Sequence, residues 1–200
     1  MRVIFGIGNP GIRYESTRHN AGFLLLDYFA SKNSIKFKEA PGEYLEASGK
    51  IGDRNFSLIK PVTFVNHSGV AARQVFDKYK IEPENFLVVC DDSNLKAGML
   101  RIRVSGGDGG HNGLSSVIYH LMTDKFPRIR IGIGSSAKDE DLADYVLAEF
   151  SKNEFEEYKN TFNNTSILIE EFIIGGNKKM LETNSALNSS KNQNVCNQDD

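Results

Sequence analysis

Chemistry in this chain can be looked for first at His19, in the run Thr17-Arg18-His19-Asn20-Ala21-Gly22-Phe23. An imidazole acts as a general base near neutral pH because its reference pKa is about 6.5. A carboxylate on the other ring nitrogen would fix its tautomer and stabilise the imidazolium that forms. Asp91 is a candidate for that partner, since it follows the apolar strand Phe86-Leu87-Val88-Val89-Cys90. From spacing alone a surface histidine and a solvated acid are the plainer reading, because pairing over so long a separation is not written in one chain.

Amides form a second set: Asn9, Asn20, Asn66 and Asn112, each near a glycine turn or the end of an apolar run. A carboxamide offers donor and acceptor without charge, and one donor aimed at an oxyanion is worth roughly 10²–10³ in rate. Each alone reads as a turn or cap residue. Arginines form a third set. Alternation puts Arg101 with Arg103, and Arg128 with Arg130, on single strand faces. Between residues 96 and 130 six basic side chains stand against Asp108 and Asp124. Phosphate, held partly by amides of the Gly106–Gly110 loop, and a solvated outer face explain this crowding equally well.

Other chemistries find less support. No G-x-S-x-G elbow is present, and Cys90 lies inside an apolar strand, where its thiol pKa should rise. A hydrolase built here would use water activated by histidine. His19, His67, His111 and His120 show no H-x-x-x-H spacing or flanking Cys pairs, so no metal is expected. Gly6-Ile7-Gly8-Asn9-Pro10-Gly11 matches G-x-G-x-x-G, but Pro10 and a polar, aperiodic stretch follow where a helix should open. A tight turn is the better reading.

The elements that must hold these groups alternate. Val3-Ile4-Phe5 reads as a buried strand and Phe23–Phe29 as a buried helix with Asn20 at its N-cap. Residues 44–50 and 55–60 read as strands around Gly52-Asp53, and Ser68 as the cap of a helix carrying Val70, Val75 and Tyr79. A helix runs from about Leu114 to Met122. Ser151 and Glu154 form a capping box opening a long helix that Gly175 should close. The fold expected is α/β: one domain with a twisted, mixed, mostly parallel sheet flanked by helices on both faces. Residues 1–183 are expected to form that domain. The Asn-, Ser- and Gln-rich residues 184–200 are expected to be a disordered tail, because they bury too little apolar surface to offset ordering.

Bulk properties bound the partners. The chain has 200 residues, with 24 basic and 26 acidic side chains for a formal net charge of −2, which argues against a general nucleic-acid coat and leaves room for a local basic face. No apolar run approaches the roughly 20 residues of a membrane span, and Gly6 and Gly8 interrupt any signal-peptide core. Two cysteines, Cys90 and Cys196, make no disulfide framework, and a reduced cytoplasmic protein is expected.

Five blocks occur in order: residues 6–11, 17–22, Lys60-Pro61-Val62-Thr63-Phe64-Val65-Asn66-His67-Ser68-Gly69, Gly109-Gly110-His111-Asn112-Gly113-Leu114 and Arg128–Gly134. Together they resemble bacterial-type peptidyl-tRNA hydrolase from about residue 1 to 183. The resemblance implies hydrolysis of the ester joining a peptide to the 3′ end of tRNA by a cofactor-free monomer, with peptidyl-tRNA as partner and no membrane. It implies His19 as general base and Asp91 as the group that holds it. Asn9 would separate N-blocked substrates from free aminoacyl-tRNA. Tyr14, Phe64, Asn66 and Asn112 would line the substrate site, and Arg103 and Arg130 would meet tRNA phosphate.

The chain departs from the pattern at Cys90, Val65, Asn94 and Asp108, none of them a proposed catalytic group. A tRNA-binding scaffold without hydrolysis is the competing reading, and peptide release from an N-blocked aminoacyl-tRNA discriminates the two.

Overall fold

The computed structural model describes residues 1–135 and 141–196, with side chains up to Ser189. Seven strands form one sheet: β1 (Arg2–Gly6), β2 (Lys38–Glu39), β3 (Tyr44–Ile51), β4 (Arg54–Pro61), β5 (Phe86–Asp92), β6 (Leu100–Arg103) and β7 (Arg128–Gly132). Their order across the sheet is β2-β3-β4-β1-β5-β7-β6. β1 runs parallel to β4 and β5, and β5 parallel to β7, whereas β2, β3 and β6 pair antiparallel at the edges. Among the described residues there are five α-helices: α1 (Ala21–Lys32), α2 (Ser68–Tyr79), α3 (Asn112–Leu121), α4 (Leu142–Leu147) and α5 (Lys152–Cys196). Among the described residues no helix is long and apolar enough to cross a membrane.

Strand alternation divides the core into two layers. Ile4, Leu87, Val89 and Ile131 face α1 and α5, while Val3, Phe5, Val88 and Cys90 face α2 and α3. The expected mixed sheet with helices on both faces is therefore what the chain forms. β1 lies at its centre, and the loops after β1 and β5 meet where crossovers to either side diverge, a habitual ligand position in open sheets. Gly22 brings α1 up against this edge: a Cβ there would lie 2.5 Å from Ile7 O and 2.6 Å from Val89 O.

Several local expectations need correction. Asn20 stands before α1 but makes no side-chain cap bond, because its amide is engaged by Asn9 instead. Ser68 is the first residue of α2 rather than its cap, and its hydroxyl is buried without a partner. The Ser151–Glu154 box is present, with Ser151 N–H donating to Glu154 Oε2 at 2.8 Å and Glu154 N–H to Ser151 Oγ at 3.2 Å. The long helix is interrupted not at Gly175 but at Gly176, whose φ of 70° favours glycine. It then resumes to Cys196. The segment from 184 is thus helical as far as it is described. Leu187 packs against the core and Ser185 and Ser189 hydroxyls donate to carbonyls four residues back, contacts that polar composition conceals. Residues 197–200 of that tail lie outside the described residues.

Candidate active site

The turn after β1 and the end of β5 converge on one carboxylate. His19 sits in a short 3₁₀ turn, Arg18–Asn20, directly before α1. Its Nδ1 lies 2.8 Å from Asp91 Oδ1, at the end of β5. His111, in the loop before α3, places Nε2 3.0 Å from the same oxygen. The His111 Nδ1 accepts N–H groups from Gly113 and Leu114 at 3.1 and 3.2 Å, capping α3. With that lone pair used, the His111 proton sits on Nε2 and is donated to Asp91. His19 Nδ1–H donates to the same anion, so its Nε2 carries the available lone pair.

Burial and charge compete at both members of the His19–Asp91 pair. Burial opposes the imidazolium of His19, but the charge and hydrogen bond of Asp91 outweigh it, so the His19 pKa is raised above 6.5. Burial would raise the Asp91 carboxyl, yet the facing imidazoles of His111 and His19 hold it well below the usual carboxylate range. Asp91 is an anion at any working pH. Burial also pushes the Cys90 thiol up to about 12, which removes it as a nucleophile.

Sequence spacing gave no metal set, but His19, Asp91 and His111 bring their donor atoms within 4.8 Å of one another. The residues do not fit an ion. His111 has no free lone pair, because Nδ1 accepts two amides and Nε2 carries the proton. Binding a cation through His111 Nε2 would require either an imidazolate or a proton moved to Nδ1, which would break the α3 cap.

Around this triad lies a cleft of about 620 Å³ whose lining includes Asn9, His19, Phe64, Asn66, Asp91, Asn112 and Arg130. Asn9 is locked in orientation. Its Oδ1 accepts the Val65 N–H at 3.0 Å, while its backbone N–H and C=O are both satisfied by the Asn20 amide at 2.8 and 2.9 Å. Among the described residues Asn9 Nδ2 has no hydrogen-bond acceptor. Asn66 and Asn112 are exposed on the cleft wall. Tyr14 does not line the cleft; it supports Phe64 edge-on, with ring centroids 6.2 Å apart.

The arginines occupy a neighbouring recess of about 260 Å³ lined by Arg101, Arg103, Arg128 and Arg130. β6 and β7 place Arg101 opposite Arg130 and Arg103 opposite Arg128. Arg130 is buried, 3.3 Å from Asp92 Oδ2, and Arg103 is exposed. The loop does not present an amide nest toward them. Gly106, Gly107 and Asp108 turn carbonyls to Arg128 and Arg130, and the Asp108 carboxylate accepts the Gly110 N–H at 2.8 Å. These carbonyls satisfy donors of Arg128 and Arg130 from within the loop, so the loop turns carbonyls rather than amides to the recess, while Arg103 stays exposed to solvent.

Three contributors were not singled out from sequence: His111, Asn20 as the holder of Asn9, and α4. The run Gly109-Gly110-His111-Asn112-Gly113 before an apolar helix was the available signal for His111. α4 supplies Leu142, Val146 and Leu147 to the cleft. It is tied to the His19 segment by Arg18, which donates to Glu149 O at 3.1 Å and Glu154 Oε1 at 2.9 Å and lies 4.7 Å from the Tyr145 ring centroid.

Comparison with known proteins gives a consistent result. The family model described as Peptidyl-tRNA hydrolase matches residues 3–194. A peptidyl-tRNA hydrolase of Alkaliphilus metalliredigens is 42% identical over 181 residues, covering 90% of this chain and 97% of that protein. One from Lachnospira eligens is 46% identical over 155 residues, covering 78% and 83%. The crystal structure of peptidyl-tRNA hydrolase from Acinetobacter baumannii superposes with a TM-score of 0.84 at 32% identity, covering 92% of this chain and 94% of that one.

Proposed function

Because this chain belongs to the peptidyl-tRNA hydrolase family and is an enzyme of that activity, we propose that it cleaves the peptide–ribose ester with a water activated by His19 and no covalent intermediate. The observation that carries this is the 2.8 Å contact of His19 Nδ1 with Asp91 Oδ1, which leaves Nε2 as the base facing the cleft. Nε2 takes a proton from water as the oxygen attacks the ester carbonyl. The tetrahedral oxyanion is met by an amide donor of the cleft, and the imidazolium returns the proton to the departing 3′ oxygen of the terminal ribose. General-base catalysis contributes typically 10²–10⁴, and an ester demands less than an amide.

Asn9 distinguishes N-blocked substrates by directing Nδ2 at the peptide. Phe64, Asn66 and Asn112 position the acyl group and tRNA end, Tyr14 braces Phe64, and Arg103 with Arg130 meets tRNA phosphate. On this reading the enzyme works as a cytoplasmic monomer. Release of labelled peptide from an N-blocked aminoacyl-tRNA tests it: the wild type should release peptide and His19→Ala should retain tRNA binding while losing most turnover. A His19→Ala variant with near-normal rate overturns the role of His19, and binding by the wild type without release favours a scaffold.

A further inference from the structure

A second cleft, of about 540 Å³, opens on the other side of Asn9, with Phe23, Leu24, Leu45, Pro61 and Val62 among its walls. Asn9 lines both this cleft and the one holding His19. The segment joining them exposes apolar side chains: Val62, lining the second cleft, is 45% exposed and Phe64, lining the first, 55%, with Ile12 at 85% in the adjoining loop. The sheet order gives the arrangement a polarity. From β1 the path to the arginine recess runs through β5 to β7 and β6, while the second cleft lies the opposite way, over β4 and β3.

Charge excludes a phosphate-bearing occupant. Glu15 and Asp27 line this cleft, and the cation among its described lining residues, Lys60, is bound to Asp27 Oδ1 at 2.7 Å. The Lys60 ammonium also lies 5.3 Å from the Phe23 ring centroid and 4.5 Å from that of Phe37, so it is fully engaged. What suits the cleft is an uncharged chain with apolar side chains.

The geometry points to this cleft as a subsite for the peptide half of the substrate, taking residues N-terminal to the esterified one. The two halves of peptidyl-tRNA then leave the ester in opposite directions, tRNA toward the arginines and peptide past Val62. This rests on the reading that the His19 cleft cleaves peptidyl-tRNA.

The test compares an N-acetyl-aminoacyl-tRNA with a tetrapeptidyl-tRNA of apolar sequence bearing the same esterified residue. The wild type should show a KM about tenfold lower for the longer substrate, the scale of one apolar contact. Val62→Arg should abolish that preference. Leu45→Ser provides a second variant should Val62→Arg turn over neither substrate. A wild type indifferent to peptide length, or a preference that survives in a folded variant, overturns the subsite. A wild type that cleaves neither substrate overturns the hydrolase reading instead.

Discussion

His111 and His19 share one oxygen of Asp91, at 3.0 and 2.8 Å, and only His19 keeps a free nitrogen. The second imidazole is a permanent donor because backbone amides occupy its other nitrogen. It gives the buried carboxylate a second hydrogen-bond donor beside His19 Nδ1–H.

The two duties of His111 separate by substitution. Asparagine is a good N-cap but is too short to reach Asp91, whereas alanine does neither. His111→Asn should keep thermal stability near the wild type while lowering kcat. His111→Ala should lose kcat and about 0.5–2 kcal/mol of stability as well. Equal kcat in His111→Asn and wild type, with folding checked by calorimetry, counts against the carboxylate duty.

The pH profile follows from the sign of the His19 shift. A general base works unprotonated, so kcat/KM should rise with pH through a limb above the ordinary histidine value. In Asp91→Asn the charge that raises this pKa is gone and burial remains, so the limb should move to lower pH. The rate should fall on the order of 10²–10⁴. Stability runs the other way: the raised His19 pKa stabilises the fold below about 6.5, and this is lost as pH rises through the folded value. The depressed Asp91 pKa contributes above about 3.9 and fails only in stronger acid. A limb that stays in place in Asp91→Asn refutes the pairing.

The strands, the helices and the two-faced sheet followed from patterns that one stretch carries by itself, whereas the strand order did not. Alternation in Phe86–Cys90 and the apolar run after Gly22 are legible because burial is periodic. The His19–Asp91 contact was not, since it depends on β1 lying beside β5. Asn20 and the glycine loop went astray for one reason. Asn is favoured at caps and glycine in anion nests, and tertiary partners overrode both: Asn9 took the Asn20 amide, and Arg128 and Arg130 drew the loop carbonyls inward. The helical reach to Cys196 was hidden because one leucine, Leu187, anchors an otherwise polar stretch.

Asn9 can be split into acceptor and donor. Asn9→Asp retains an oxygen for the Val65 N–H, held at 3.0 Å in the wild type, but has no Nδ2 to donate. The variant should fold normally and lose roughly 10²–10³ in kcat/KM if that donor meets developing charge. Asn20→Ala instead leaves the Asn9 backbone N–H and C=O unsatisfied, costing about 1–3 kcal/mol. Calorimetry and kinetics on the two variants should therefore rank them in opposite orders.

Arg18 joins the base-bearing turn to the cleft wall. Thr17 and Glu149 form an antiparallel bridge, Arg18 N–H donates to Ala148 O at 3.0 Å, and Phe150 N–H returns a bond to Ser16 O at 3.0 Å. The guanidinium adds the Glu149 and Glu154 bonds and packs 4.7 Å from Tyr145, so its planar fork spans α4 and the start of α5 together. A lysine keeps the charge but cannot direct two donors and stack at once. Arg18→Lys should therefore raise KM, because Leu142 and Val146 lose their fixed placement, while kcat falls less than in His19→Ala. Arg18→Ala should show the larger KM effect and a stability loss of about 1–3 kcal/mol. If both variants bind substrate as tightly as the wild type while their melting temperatures drop, Arg18 braces the fold without shaping the cleft.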